Sequence, residues 1–119
     1  MQIINPPMSD GTTVEIIADQ YIINNIDDGA DLLGNLYYQG YAQVIIHEEN
    51  INPQFFDLKT KIAGEILQKF VNYKVRLCII GDFAKYNSKS LNDFIYESNK
   101  GKAVNFLSHT DQAIEKFKH

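Results

Sequence analysis

The feature that most constrains the fold of this chain is an apolar run that passes directly into a polar one. Three apolar residues at 44–46 (Val-Ile-Ile) precede four polar residues at 47–50 (His-Glu-Glu-Asn). Successive apolar residues are typical of a strand that helices cover on both faces. The polar residues then follow the carboxyl end of that strand, where open α/β sheets bind ligands. We therefore interpret 43–50 as the organising strand of an α/β sheet.

A second apolar run, at 75–80, predicts a second interior strand. It reads Val-Arg-Leu-Cys-Ile-Ile, and Gly81 and Asp82 follow it. A helical pattern separates the two runs, so the strands are expected to be parallel and joined by a right-handed crossover. Their polar ends would then meet at one edge of the sheet.

The other strand patterns complete a single-domain α/β sandwich. Residues 2–4 and 12–18 predict an N-terminal antiparallel hairpin, and 103–107 predicts a last strand. Helical patterns alternate with the strands from residue 25 onward. The expected sheet is therefore mixed and mostly parallel, in one domain over residues 1–119.

Four helices are expected between and after these strands. Asn25 can cap the first helix, which Gly40 ends. The second is predicted to be the longest, over 55–73. Gly64 within it costs about 1 kcal/mol relative to alanine, so we expect a close approach of another element there. Asn87 or Ser88 can cap the third helix, and Ser108 or Thr110 can cap the fourth.

The composition is that of one globular domain and excludes several functional classes. Hydrophobic residues make up 45% of the 119 residues. The net charge of −4 argues against nucleic-acid binding, which needs a clustered basic face. The single cysteine, Cys78, lies in an apolar run, so we expect a buried thiol and a reducing compartment. Neither a signal-peptide pattern nor a membrane-spanning run is recognised, and we expect a cytoplasmic protein without membrane contact.

Ten residues around the two strand ends form the predicted surface for a partner or ligand. They are His47, Glu48, Glu49, Asn50, Asp82, Phe83, Tyr86, Ser88, Lys89 and Ser90. Histidine with carboxylates suits a metal or an acid–base pair, and hydroxyls with a cation at a helix N-terminus suit a small anion. Solvated carboxylates, a structural hydrogen bond of His47 and helix caps explain the same residues more simply. We therefore predict no catalytic residue, no metal site and no cofactor.

Six short segments carry a family resemblance. They are 47–50 (His-Glu-Glu-Asn), 55–58 (Phe-Phe-Asp-Leu), 63–73, 81–83 (Gly-Asp-Phe), 88–91 (Ser-Lys-Ser-Leu) and 94–101. Together they resemble an uncharacterised bacterial family, the domain of unknown function DUF4180. The resemblance spans nearly the whole chain and implies no activity, because that family has none assigned.

The order of elements is similar to that of the STAS domain, the fold of anti-sigma factor antagonists. In those antagonists a serine or threonine at the start of the second helix is phosphorylated. The matching region here, 50–60, has no hydroxyl before Thr60. The resemblance therefore implies the fold and not that phosphoswitch.

Two functions stay open at this level. The first is a non-enzymatic regulatory or protein-interaction module of a bacterial cytoplasm, whose partner is another protein or a second copy of the chain. The second is a small enzyme or ligand sensor in which His47 acts as a base, Glu49 or Asp82 orients it, and Lys89 with helix amides holds a small anionic ligand. We favour the first, because no recognised catalytic set is present.

Overall fold

A computed structural model describes all 119 residues, and at its centre lies a five-stranded mixed sheet. Its strands are β1 (Gln2–Ile4), β2 (Thr13–Ile17), β3 (Gln43–His47), β4 (Arg76–Ile80) and β5 (Val104–Leu107). They lie side by side in chain order. β1 is antiparallel to β2, and every other neighbouring pair is parallel. The predicted hairpin, the two parallel interior strands and the α/β class are confirmed.

Four helices cover the two faces of the sheet unequally. They are α1 (Ile26–Tyr38), α2 (Ile62–Tyr73), α3 (Lys89–Asn99) and α4 (Thr110–Phe117). Because side chains alternate along a strand, Val44 and Ile46 pack with residues of α1, α2 and α3, whereas Ile45 packs with α4 on the other face. The run at 44–46 is therefore covered on both faces, as predicted. No helix has both the length and the apolar character needed to cross a bilayer.

Cys78 lies on the face that α4 covers, in one apolar cluster with Ile45 and Phe117. Its side chain is fully buried. Burial raises the pKa of the thiol to about 12, so the group is protonated at neutral pH. The expected role of Cys78 as a small buried hydrophobe is confirmed.

The caps of three helices test the predicted boundaries. The Asn25 side chain accepts a hydrogen bond from the Asp28 amide at 2.8 Å, and the Ser88 hydroxyl caps α3, both as predicted. For α4 the prediction is wrong, because the N-cap is His109. Here Oε1 of Gln112 accepts a hydrogen bond from the backbone N–H of His109 at 3.0 Å. This bond takes the place of a hydroxyl cap.

The second helix starts later than predicted. α2 begins at Ile62, and two short 3-10 turns, Pro53–Phe56 and Leu58–Thr60, occupy the segment before it. The side chains of Asn52 and Asp57 accept hydrogen bonds from backbone amides at the start of these turns. These bonds compete with those of a continuous α-helix. At 12 residues α2 is also shorter than α1, which has 13.

Gly64 is not where helices approach each other, so that expectation is wrong. A Cβ atom on Gly64 would meet no atom within 4 Å. The close approach of α1 and α2 is at Gly29, where a Cβ atom would lie 2.5 Å from Cδ1 of Ile66. Gly34, also in α1, has open space as Gly64 does. Periodicity places a glycine in a helix but does not show which face touches a neighbour.

Gly29 and Gly34 give a matched test of this packing. We expect Gly29→Ala to lower the free energy of unfolding by about 1–3 kcal/mol, because the buried Ile66 side chain has to move. Gly34→Ala should raise it by up to about 1 kcal/mol, since alanine forms helices better than glycine. Urea denaturation of both variants measures the two effects. Equal effects of the same sign would contradict the assigned α1–α2 contact.

Candidate functional site

The carboxyl ends of β3 and β4 meet at one edge of the sheet. The two strands are parallel neighbours, and His47 is paired in register with Ile80. The residues that follow the two strands, 48–50 and 81–90, therefore lie along a common edge of the sheet. We call His47 and these residues the strand-end rim. The predicted meeting of the two polar strand ends is confirmed.

Glu48 points into the rim and not to solvent. Its side chain is 9% exposed, and its Oε1 atom accepts a hydrogen bond from Nζ of Lys85 at 2.6 Å. Its Oε2 atom accepts one from the Tyr86 hydroxyl at 2.5 Å. Gly81 leaves the necessary space, because a Cβ atom there would lie 2.5 Å from Cβ of Glu48. The Glu48 carboxylate thus joins the exit of β3 to the exit of β4.

The contacts of Glu48 change the acidity of its neighbours. Burial, and then the hydrogen bond to Glu48, raises the pKa of Tyr86 far above the usual value of a tyrosine. The hydrogen bond to Glu48 also raises the pKa of Lys85. The Tyr86 ring stacks on Phe56 with centroids 4.8 Å apart, and Phe56 lies 5.8 Å from the ring of Phe83. Tyr86 and Phe83 are therefore packing residues of the rim.

His47 turns to the face that α4 covers and pairs with Glu15 of β2. Its Nε2 atom lies 2.6 Å from Oε2 of Glu15, and the Thr110 hydroxyl donates to the same oxygen at 3.4 Å. The partner of His47 is therefore Glu15, and not Glu49 or Asp82 as the sequence predicts. Glu15 could not be recognised from the sequence, because only the register of β2 against β3, in which Glu15 pairs with Ile45, brings it near His47.

Asn50 is also used inside the fold. Its side-chain amide donates to the carbonyl oxygens of Ala18 at 2.9 Å and Gln20 at 3.0 Å. These bonds hold the loop that leads from β2 to α1. Glu49 is the one exposed residue of the segment 47–50.

The other predicted site residues are placed on the surface near the start of α3. Asp82 caps the short turn that follows it, and Ser88 caps α3. The hydroxyls of Ser88 and Ser90 lie 3.1 Å apart. Lys89 pairs with Asp93 at 2.8 Å on an exposed face. No group of three or more His, Cys, Asp or Glu side chains is arranged to hold a metal ion.

An apolar groove of about 780 Å³ lies between α2 and α3. Gly64 and Leu67 of α2 line it, together with Ser90 and Phe94 of α3 and Val104 of β5. Ser90 joins the groove to the strand-end rim. This groove could not be predicted from the sequence, because apolar residues at helical spacing indicate a core face equally well.

The Glu48 contacts predict how stability depends on pH. The pKa values of Tyr86 and Lys85 are higher in the folded chain than in the unfolded chain, so the folded chain keeps these protons longer and loses stability as pH rises above about 10. Tyr86→Phe should lower the free energy of unfolding by about 1.5–3 kcal/mol at neutral pH, because a buried carboxylate loses a donor. It should also make the alkaline decline shallower.

Urea denaturation at neutral pH and at several alkaline pH values measures both effects. Tyr96→Phe is the matched control, because Tyr96 is 66% exposed. An alkaline slope that Tyr86→Phe leaves unchanged would contradict the assignment.

Comparison with known families places the chain. The model of the family described as Domain of unknown function (DUF4180) matches residues 9–117, a span that includes the strand-end rim and the groove. No curated protein and no solved structure matches the chain. The similarity to STAS domains stays a prediction. Because the matched span covers nearly all of the sequence, the chain belongs to the DUF4180 family.

Proposed function

We propose that this chain is a non-enzymatic regulatory or protein-interaction module of the bacterial cytoplasm, and that a partner protein docks in the groove between α2 and α3. The observation that carries the proposal is the groove itself, an open and mostly apolar groove with a volume of about 780 Å³ between two helices. Contiguous apolar surface on a folded domain is typical of a place where another molecule binds. The groove is continuous at Ser90 with the rim that the sequence singled out.

The use of polar groups at the rim supports a non-enzymatic role. Glu48 is held by Lys85 and Tyr86, and His47 is held by Glu15. A general base must reach a substrate proton directly or through one water molecule. The buried carboxylate of Glu48 instead joins the exits of β3 and β4, so this part of the rim acts as a scaffold for the groove.

The hydrogen bonds at β5 favour a helix as the occupant of the groove. Ser98 donates to the carbonyl oxygen of Val104 at 2.6 Å. The Asn99 side chain binds both the amide and the carbonyl of Phe106, at 2.7 and 3.0 Å. These bonds occupy the outer edge of β5, so a partner strand could not pair there without breaking them. An amphipathic helix could lay its apolar face in the groove, and its flanking polar residues could meet the charged residues that also line it, Asp93, Glu97 and Lys102.

The alternative function, an enzyme or sensor for a small anion, stays a prediction. It would use His47, Glu49, Asp82 and Lys89 together. None of the contacts described for these side chains joins one of them to another. No observation therefore favours this arrangement over the proposed docking site.

Gly64 provides a direct test of the groove. Gly64→Arg places a long side chain in the groove, and the open space at this position lets the fold accept it. We expect a partner captured from a lysate of the source cells to bind the variant at least about tenfold more weakly than the wild type. Gly34→Arg is the matched control, because Gly34 is an exposed helical glycine with equally open space. Circular dichroism checks the fold of both variants.

Two further arms assign the interface. A partner that is lost with Glu49→Lys and retained with Gly64→Arg would move the docking surface to the strand-end rim. Size-exclusion chromatography of the same variants identifies a second copy of the chain as the occupant if Gly64→Arg dissociates an oligomer. A partner set that Gly64→Arg and Gly34→Arg affect equally would contradict docking in the groove.

A further inference from the structure

The connections that follow β4 and β5 lead to opposite faces of the sheet. After β4 it passes to α3, whose buried Leu91 packs on the face shared with α1 and α2. After β5 it passes to α4, whose Ala113 and Phe117 pack on the other face. β4 and β5 are parallel neighbours, so their carboxyl ends separate into two diverging connections. This is the one place in the parallel part of the sheet where consecutive helices lie on opposite faces, and we call it the switch point, although the strand order itself does not reverse. The diverging connections leave a crevice at the carboxyl ends of the two strands, the end at which open α/β sheets bind ligands.

A cleft of about 700 Å³ lies at this switch point. Asp82 and Phe83 of the β4 exit form one side, and Ser108 and His109 of the β5 exit form another. Tyr96 and the neighbouring turns of α3 line the rest. The volume falls within the range of roughly 300–1,000 Å³ that is usual for small-molecule sites. The groove between α2 and α3 is a separate feature and shares no lining residue with this cleft.

The lining of the cleft indicates an uncharged ligand. It includes no lysine and no arginine. The amides of Ser108 and His109 at the start of α4 already donate to the Gln112 side chain, at 2.9 and 3.0 Å, so they are not free for an anion. Asp82 is the one carboxylate of the lining, and one of its oxygens accepts a hydrogen bond from the amide of Ala84. Its second oxygen is an acceptor for a ligand hydroxyl.

The same lining offers an apolar wall beside polar groups. Phe83 and Phe106 lie edge to face with centroids 5.3 Å apart. Asn92, Tyr96 and Ser108 provide an amide and two hydroxyls that are not among the side-chain hydrogen bonds of the fold. A ring compound with one apolar face and vicinal hydroxyl groups satisfies both kinds of surface.

From the switch point, the cleft and its lining we infer that residues of the β4 and β5 exits bind an uncharged, hydroxyl-bearing ring compound. The Asp82 carboxylate accepts a ligand hydroxyl, and Phe83 contacts the apolar face of the ring. A free monosaccharide and a nucleoside share this chemistry. The site has lining residues different from those of the groove and is inferred without it, so either proposal can fail without the other.

Titration of the isotope-labelled full chain, followed by amide NMR shifts, tests this site. The probes are D-glucose, D-ribose, adenosine, uridine and adenosine monophosphate at millimolar concentration. We expect at least one uncharged probe to shift amides around Asp82, Tyr96 and Ser108. Shifts with the free sugars identify a saccharide site, and shifts with the nucleosides alone identify a nucleoside site. The monophosphate should bind more weakly than adenosine, because neither lysine nor arginine lines the cleft.

Asp82→Asn is the diagnostic variant, because its side-chain oxygen can still accept the Ala84 amide and the fold is kept. It should weaken probe binding about tenfold, as expected for the loss of a hydrogen bond to a charged group. Asp93→Asn on the other side of α3 is the control and should leave binding unchanged. Three results would overturn the inference: no shift with any probe, shifts confined to the groove around Leu67, or equal binding by Asp82→Asn and the wild type.

Discussion

The buried carboxylate of Glu48 is the constraint on which the edge of this molecule depends. Removing a carboxylate from water costs several kcal/mol unless charge and hydrogen bonds compensate it. Lys85 and Tyr86 supply that compensation, and Gly81 supplies the space. Since these residues come from the exits of two neighbouring strands, hydrogen bonds join the connections after β3 and β4. These bonds position the start of α3, and with it one wall of the groove and one wall of the cleft.

The sheet could be predicted because two short apolar runs are each followed by polar residues and separated by a helical pattern. A short run buried on both faces favours an interior strand, and a helical segment between two such runs favours a parallel pair. The start of α2 could not be obtained in the same way. Phe55 and Phe56 fit a helical pattern, but the side chains of Asn52 and Asp57 bond to nearby amides and turn the backbone into 3-10 geometry. Periodicity does not register that local competition.

The meeting of the two strand ends could be predicted, and the contacts of the residues there could be predicted only in part. The meeting of the strand ends follows from strand direction, which the sequence indicates. The roles of Glu48 and His47 depend on partners from other elements, Lys85 and Glu15, and their pairing follows from register and from the path of a loop. The cleft depends on α4 lying on the other face of the sheet from α3. The amphipathic pattern of an eight-residue helix does not indicate which face of the sheet it covers.

α3 connects the two surfaces that carry the proposals. Phe94 and Ser98 line the groove, whereas Ile95 and Tyr96 line the cleft on the other side of the same helix. Leu91 is the only fully buried residue of α3, so the helix is held largely by polar bonds at its ends and by partly buried side chains. A ligand that favoured one position of α3 would change the affinity of the groove for its partner. By linkage, the partner would change ligand affinity by the same factor. A change in the position of α3 alone would therefore couple the two proposed sites, with the sheet unchanged.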